Sequence, residues 1–109
     1  MAEATGFVVV LVTASGLEEG NKITSILLDK RLAACVNIVP KISSLFWWQG
    51  KIDAADEVLL IIKTRASRVK DIVDAVKSVH RYSVPEVIAL PVMAGNEDYL
   101  DWIAGEVEE

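Results

Sequence analysis

The chain has 109 residues, 52% of them hydrophobic, with 16 acids against 11 bases and a formal charge of -5. That length holds one domain around one core, taken as residues 1–109. The acidic balance argues against the phosphate-neutralising surface that nucleic acids and anionic membranes require. A mean hydropathy of +0.37 is high for so small a soluble chain, so the apolar excess points to a subunit interface and a self-associating protein is expected. The single cysteine leaves no intrachain disulfide, Cys-x-x-Cys pair or thiolate zinc cluster. The acidic start, Met1 to Gly6, does not read as a secretory leader, and apolar runs such as Phe7 to Val12 and Val58 to Ile62 are too short to span a bilayer. A cytoplasmic location is expected.

Phe7 to Thr13 is short, β-branched and apolar on both sides, the pattern of a central strand. Ser15-Gly16-Leu17-Glu18 fits a capping box. It opens a helix with Ile23, Ile26, Leu27 and Ala34 on one side, and Lys22, Ser25 and Asp29 on the other. Lys30 falls nearer the apolar side. Cys35 to Trp48 is extended again, with a bend or edge position at Pro40. Gln49-Gly50 marks a turn, and Lys51-Ile52 with Val58 to Lys63 form the return strand of a long hairpin. Val69, Ile72, Val73, Val76 and Val79 or His80 recur at helical spacing, with Ser67 as the expected cap and Lys70–Asp74 four apart on the wet side. A short strand, Glu86 to Val92, follows Pro85. Asn96 then caps a last helix expected to bury Tyr99, Trp102 and Ile103. The order β-α-β-β-α-β plus a terminal helix is the α+β, ferredoxin-like pattern, an antiparallel sheet with two helices on one face. The other face needs cover, from the terminal helix or a neighbouring subunit.

Several segments in register carry a resemblance. They are Leu32-Ala33-Ala34-Cys35-Val36-Asn37, Trp48-x-Gly50-Lys51, Glu57 with Leu60-Ile61-Ile62-Lys63-Thr64, His80-x-Tyr82-x-Val84-Pro85-Glu86, Ala89-Leu90-Pro91-Val92, Gly95, and Tyr99-Leu100-x-Trp102. From about Val8 to Ile103 the chain resembles the CutA family of divalent-cation tolerance proteins. The resemblance implies a ferredoxin-like domain assembled as a PII-like homotrimer, and a role in tolerance of or binding to divalent metals, copper above all. In bacterial relatives the proposed copper ligands are a cysteine near the end of the first strand and two adjacent histidines. Here Val12 and Val79 hold the cysteine and first histidine positions, leaving His80. Arg81 and Ser83 also depart from the family pattern.

The residues themselves allow two readings each. Copper favours imidazole and sulfur, so His80 and Cys35 are the candidate metal ligands. Equally, His80 fits a helix C-terminus, and Cys35 fits a small buried hydrophobe. Trp48, Glu57, Lys63, Tyr82 and Glu86 are the polar and aromatic members of the shared segments. They are candidates for a ligand cleft between subunits or for an interface ion-pair cluster. Trp47 and Trp48 face opposite ways on a strand, one toward the core and one toward an interface. Asn96, Glu97 and Asp98 suit a helix start rather than a metal. The alternative function is a PII-like sensor binding a small metabolite or nucleotide in the inter-subunit clefts, although no Gly-rich phosphate cradle is present. An enzyme is not expected: the one histidine stands in no recognisable Ser-His-Asp set, and no carboxylate pair has obvious catalytic spacing.

Overall fold

A computed structural model describes residues 5–107; the acidic stretch Met1 to Ala4 lies outside the described residues. The elements follow the expected order: β1 (Phe7–Ala14), α1 (Leu17–Asp29), β2 (Cys35–Trp48), β3 (Lys51–Arg65), a 3-10 turn (Ala66–Arg68), α2 (Val69–Val79), β4 (Val87–Pro91) and α3 (Glu97–Glu106). The strands form one sheet in the order β2-β3-β1-β4, every neighbouring pair antiparallel. This is the ferredoxin-like arrangement.

Strand alternation sorts the side chains onto two unlike faces. On one, Val8, Val10, Val12 and Ala14 of β1 meet Val58, Leu60 and Ile62 of β3. Ile23 and Leu27 of α1 and Ile72 and Val76 of α2 close the same core. Most of these side chains are entirely shielded from solvent. Gly20 lets α1 come down on the sheet, since a Cβ there would stand 3.3 Å from Val58 Cγ1. On the other face Val9, Leu11 and Ile61 are only half-buried, and Ile88 and Leu90 are exposed. The terminal helix covers one end of this face. Arg65 donates to the carbonyls of Ala104 and Val107 at 2.6 and 3.0 Å, and Arg31 pairs with Glu106 at 2.8 Å.

Beyond the core, β2 and β3 run on as an arm that carries the molecule to 43 Å along its longest axis. Gln49 and Gly50, at φ 51 and 82, form the two-residue left-handed turn that matches strand twist. Between Val39 and Ile42 the register shifts: three steps along β2 match two along β3, from Leu59 to Glu57. Pro40, which has no N–H for the ladder, lies in this bulge.

Local details differ from expectation for identifiable reasons. The first helix starts at Leu17 with Gly16 at its N-cap and no side-chain cap, so the box moves one residue along. Glu19, not Glu18, reaches back, its Oε1 accepting the Ser15 N–H at 2.8 Å. Ala34 lies past the end of that helix, and Lys30 is exposed at its C-cap. Ser67 sits inside the 3-10 turn, which displaces the α2 N-cap to Arg68. Asn96 does cap α3, accepting from the Asp98 N–H at 2.9 Å. That helix buries Ile103, whereas Tyr99 and Trp102 pack on each other and stay 42% and 44% exposed. Neither Trp47 nor Trp48 enters the core; they are 74% and 51% exposed, because the arm projects past the helices.

Candidate functional site

The bulge decides what the arm presents. Up to Val39 the odd residues of β2 share a face with Leu59, Ile61 and Lys63. After it, the even residues Ile42, Ser44, Phe46 and Trp48 oppose Glu57, Ala55, Asp53 and Lys51 on that side. The extra residue thus turns Phe46 and Trp48 toward the same side as Glu57. Trp47 and Ile52 are left on the other side.

Against this side of the arm stands the loop between α2 and β4. The two enclose an open cavity of about 850 Å³, whose walls include Thr13, Phe46, Trp48, Asp53, Glu57, Tyr82 and Glu86. Three carboxylates line it and no lysine or arginine does. Glu57 is 7% exposed, and no described cation pairs with it. The Tyr82 phenol stands beside it; burial raises the phenol above its ordinary value, and the Glu57 carboxylate pushes the same way. The cavity is therefore an acidic cleft with aromatic walls, suited electrostatically to a cation and hostile to an anion.

Of the five residues expected in a ligand cleft between subunits, four, Trp48, Glu57, Tyr82 and Glu86, line this cavity within one chain. Lys63 is six residues from Glu57 along β3, about 20 Å away. It sits opposite Cys35 and Val9 and donates to Asn37 Oδ1. Sequence reading did not single out Thr13, Phe46 or Asp53. Phe46 and Asp53 face each other across the strands, a relation that needs the register.

The two candidate metal ligands are far apart. The His80 side chain is wholly buried at the end of α2, 3.5 Å from Glu19 Oε1. Its Nδ1 accepts the Tyr82 N–H at 3.0 Å, so Nε2 carries the proton and donates to the Thr13 carbonyl at 2.7 Å. Both ring nitrogens are thus engaged by backbone. Cys35 is half-buried at the other end of the sheet, about 13 Å along the strands from Thr13 and a further ~10 Å across them. Its thiol lies against Tyr99, whose phenol is raised by burial and further by the sulfur. Among the described residues no three His, Cys, Asp or Glu groups stand close enough to share a metal ion.

Glu19 stands behind the cleft's loop, and the capping pattern does not single it out. Its Oε2 accepts the Arg81 N–H at 2.8 Å while Oε1 accepts from Ser15. Burial alone raises this carboxyl. The two amides and the adjacent His80 outweigh burial and hold it below its ordinary value. The available signal was spacing: Glu19 precedes Ile23 and Leu27 by one and two turns, placing an acid on the buried stripe.

A family profile described as "CutA1 divalent ion tolerance protein" matches residues 8–106. Protein CutA 1, chloroplastic, of Oryza sativa is 47% identical over 102 residues, 94% of this chain and 58% of the relative. The chain thus spans little more than half that plant protein. The divalent-cation tolerance protein CutA of Archaeoglobus fulgidus is 48% identical over 99 residues, covering 91% of this chain and 96% of the relative. The crystal structure of Oryza sativa CutA1 superposes with a TM-score of 0.93 at 45% identity, covering 97% of each chain. The Thermus thermophilus divalent cation tolerance protein gives 0.91 at 41%, over 94% of this chain and 99% of that one. With the profile spanning nearly all the described residues, this chain belongs to the CutA1 divalent ion tolerance family.

Proposed function

We propose that this chain serves divalent-cation tolerance by taking up divalent ions, copper among them, reversibly in the acidic cleft. The observation that carries this reading is the cleft's charge: Asp53, Glu57 and Glu86 line it without a basic side chain, and Glu57 is buried there. The relatives named for divalent-cation tolerance support the same class of function, and neither they nor the cleft's charge favours a metabolite or nucleotide sensor. Binding is weak in this proposal, because an ion entering the cleft keeps part of its hydration shell and meets carboxylates that do not converge on one point. In this proposal Cys35 acts as a ligand only if a second copy brings another donor to it, and His80, buried with both ring nitrogens engaged by backbone, does not touch the ion. No catalytic step is assigned.

The proposal includes assembly as a homotrimer, for which the exposed Leu45, Trp47, Ile52, Ile88 and Leu90 provide apolar surface. It also places the protein in the cytoplasm, where a lone free thiol such as Cys35 stays reduced. Calorimetric titration with Cu(II), run on the parent protein and on Glu57→Gln, His80→Ala and Cys35→Ser, tests the ion reading. Binding weaker than about micromolar and reduced in Glu57→Gln supports it. Binding untouched by Glu57→Gln but abolished by Cys35→Ser would move the ion to the other end of the sheet. Sedimentation equilibrium that gives a monomer at micromolar concentration would remove the trimer.

A further inference from the structure

The loop that supplies Tyr82 and Glu86 to the cleft begins at a buried polar junction. Loops usually take their backbone partners from water. Here the first two loop amides are held from inside: Arg81 N–H by Glu19 Oε2 at 2.8 Å and Tyr82 N–H by His80 Nδ1 at 3.0 Å. Each acceptor is anchored in turn. Glu19 holds the Ser15 N–H through its other oxygen, and His80 donates to the carbonyl of Thr13, a residue of the cleft wall. The Glu19 and His80 side chains are 4% and 0% exposed. A buried carboxylate without hydrogen bonds is costly, so these partners fix its position closely. The junction joins the N-terminus of α1, the end of β1, the end of α2 and the loop.

We propose that Glu19 and His80 are positioning residues of the cleft, a clamp that sets the Tyr82 ring and the Glu86 carboxylate against Glu57 across the cavity. The proposal rests on the reading of the cleft as the ion site. It also assigns His80 a role different from that of a metal ligand: the ring holds the wall and does not touch the ion. Outer partners of this kind typically change metal affinity by about 10- to 100-fold when removed.

The test combines Cu(II) calorimetry on the full chain in its native assembly with amide hydrogen exchange at Arg81 and Tyr82. In the parent protein both amides are expected to be protected. Glu19→Ala is expected to release the Arg81 amide and to weaken Cu(II) uptake by about tenfold, although Glu19 does not line the cleft. His80→Ala is expected to release the Tyr82 amide with a similar loss, and His80→Gln to restore most of the affinity, since the Gln amide can still donate to the Thr13 carbonyl. If Glu19→Ala fails to fold, Glu19→Gln carries the same test, because its single carbonyl must give up one of the two amides. Unchanged protection in the Glu19 variant would overturn the clamp. So would equal loss of copper in His80→Ala and His80→Gln with full retention in the Glu19 variant, the signature of a ligand. If the parent protein takes up no Cu(II), the ion reading fails by itself, and the clamp is then judged on the two amides alone.

Discussion

The base of the molecule and its arm are built from the same two strands and end in opposite conditions. At the base, Leu60 and Ile62 are fully shielded beneath α1 and α2. A few residues away on the arm, Leu45, Trp47 and Ile52 are 73%, 74% and 64% exposed. Strand pairing continues on both sides of the Pro40 bulge, so the hydrogen-bond ladder does not make the difference. Cover does: the helices end where the core ends, and the arm retains its ladder and turn without a packed layer. The helix-facing side of the base is covered within the chain, whereas the arm leaves its large apolar side chains exposed.

Substitutions sharpen that contrast in descending order. Ile72→Ala, under the helices, is expected to lower unfolding free energy by about 2–5 kcal/mol, read from denaturant curves. A loss below about 1 kcal/mol would mean the base is less tightly packed than it looks. At the arm's tip, Gly50→Ala places a Cβ at φ +82 and is expected to cost about 1–2 kcal/mol, with amide exchange rising around the turn and not at the base. The third test is acid. Glu19 has a folded-state value below the ordinary carboxylate one, so its contribution to stability is present above the unfolded value. It is lost as pH falls through the folded one. Glu19→Gln is therefore expected to be less stable near neutrality and to lose less on acidification; parallel pH profiles would deny the clamp its charge. Least affected is Trp47→Ser, expected to change the unfolding free energy of a lone chain by less than about 0.5 kcal/mol while shifting sedimentation toward smaller species. A large loss in the isolated chain would show that the arm's outer side packs within its own subunit.

The fold was legible because its signals are local and repeated. The β-branched run Phe7 to Thr13, the helical run Val69 to Val79 and the Gln49-Gly50 turn each specify an element without reference to the rest. Most of the cleft was also legible, through the segments holding Trp48, Glu57, Tyr82 and Glu86. Lys63 was grouped with them by shared resemblance, and the strand's length separates it within one chain. Glu18 satisfies a capping pattern one residue earlier and so hides Glu19, since a one-residue shift in a helix start changes which acid faces inward. Residue type suggests a ligand or a dipole partner at His80, and type alone does not reveal that backbone already occupies both ring nitrogens.

By itself, then, the sequence determined the elements, their order and the apolar stripes that pack them, since propensity and period act over a few neighbours. The tertiary structure decided which tryptophan faces the cleft, because one extra residue at the Pro40 bulge reverses every side chain beyond it. It also decided that Glu19, 62 residues from Arg81 in the chain, holds the cleft's loop. Pairings across such separations depend on how the elements dock, and no local pattern encodes them.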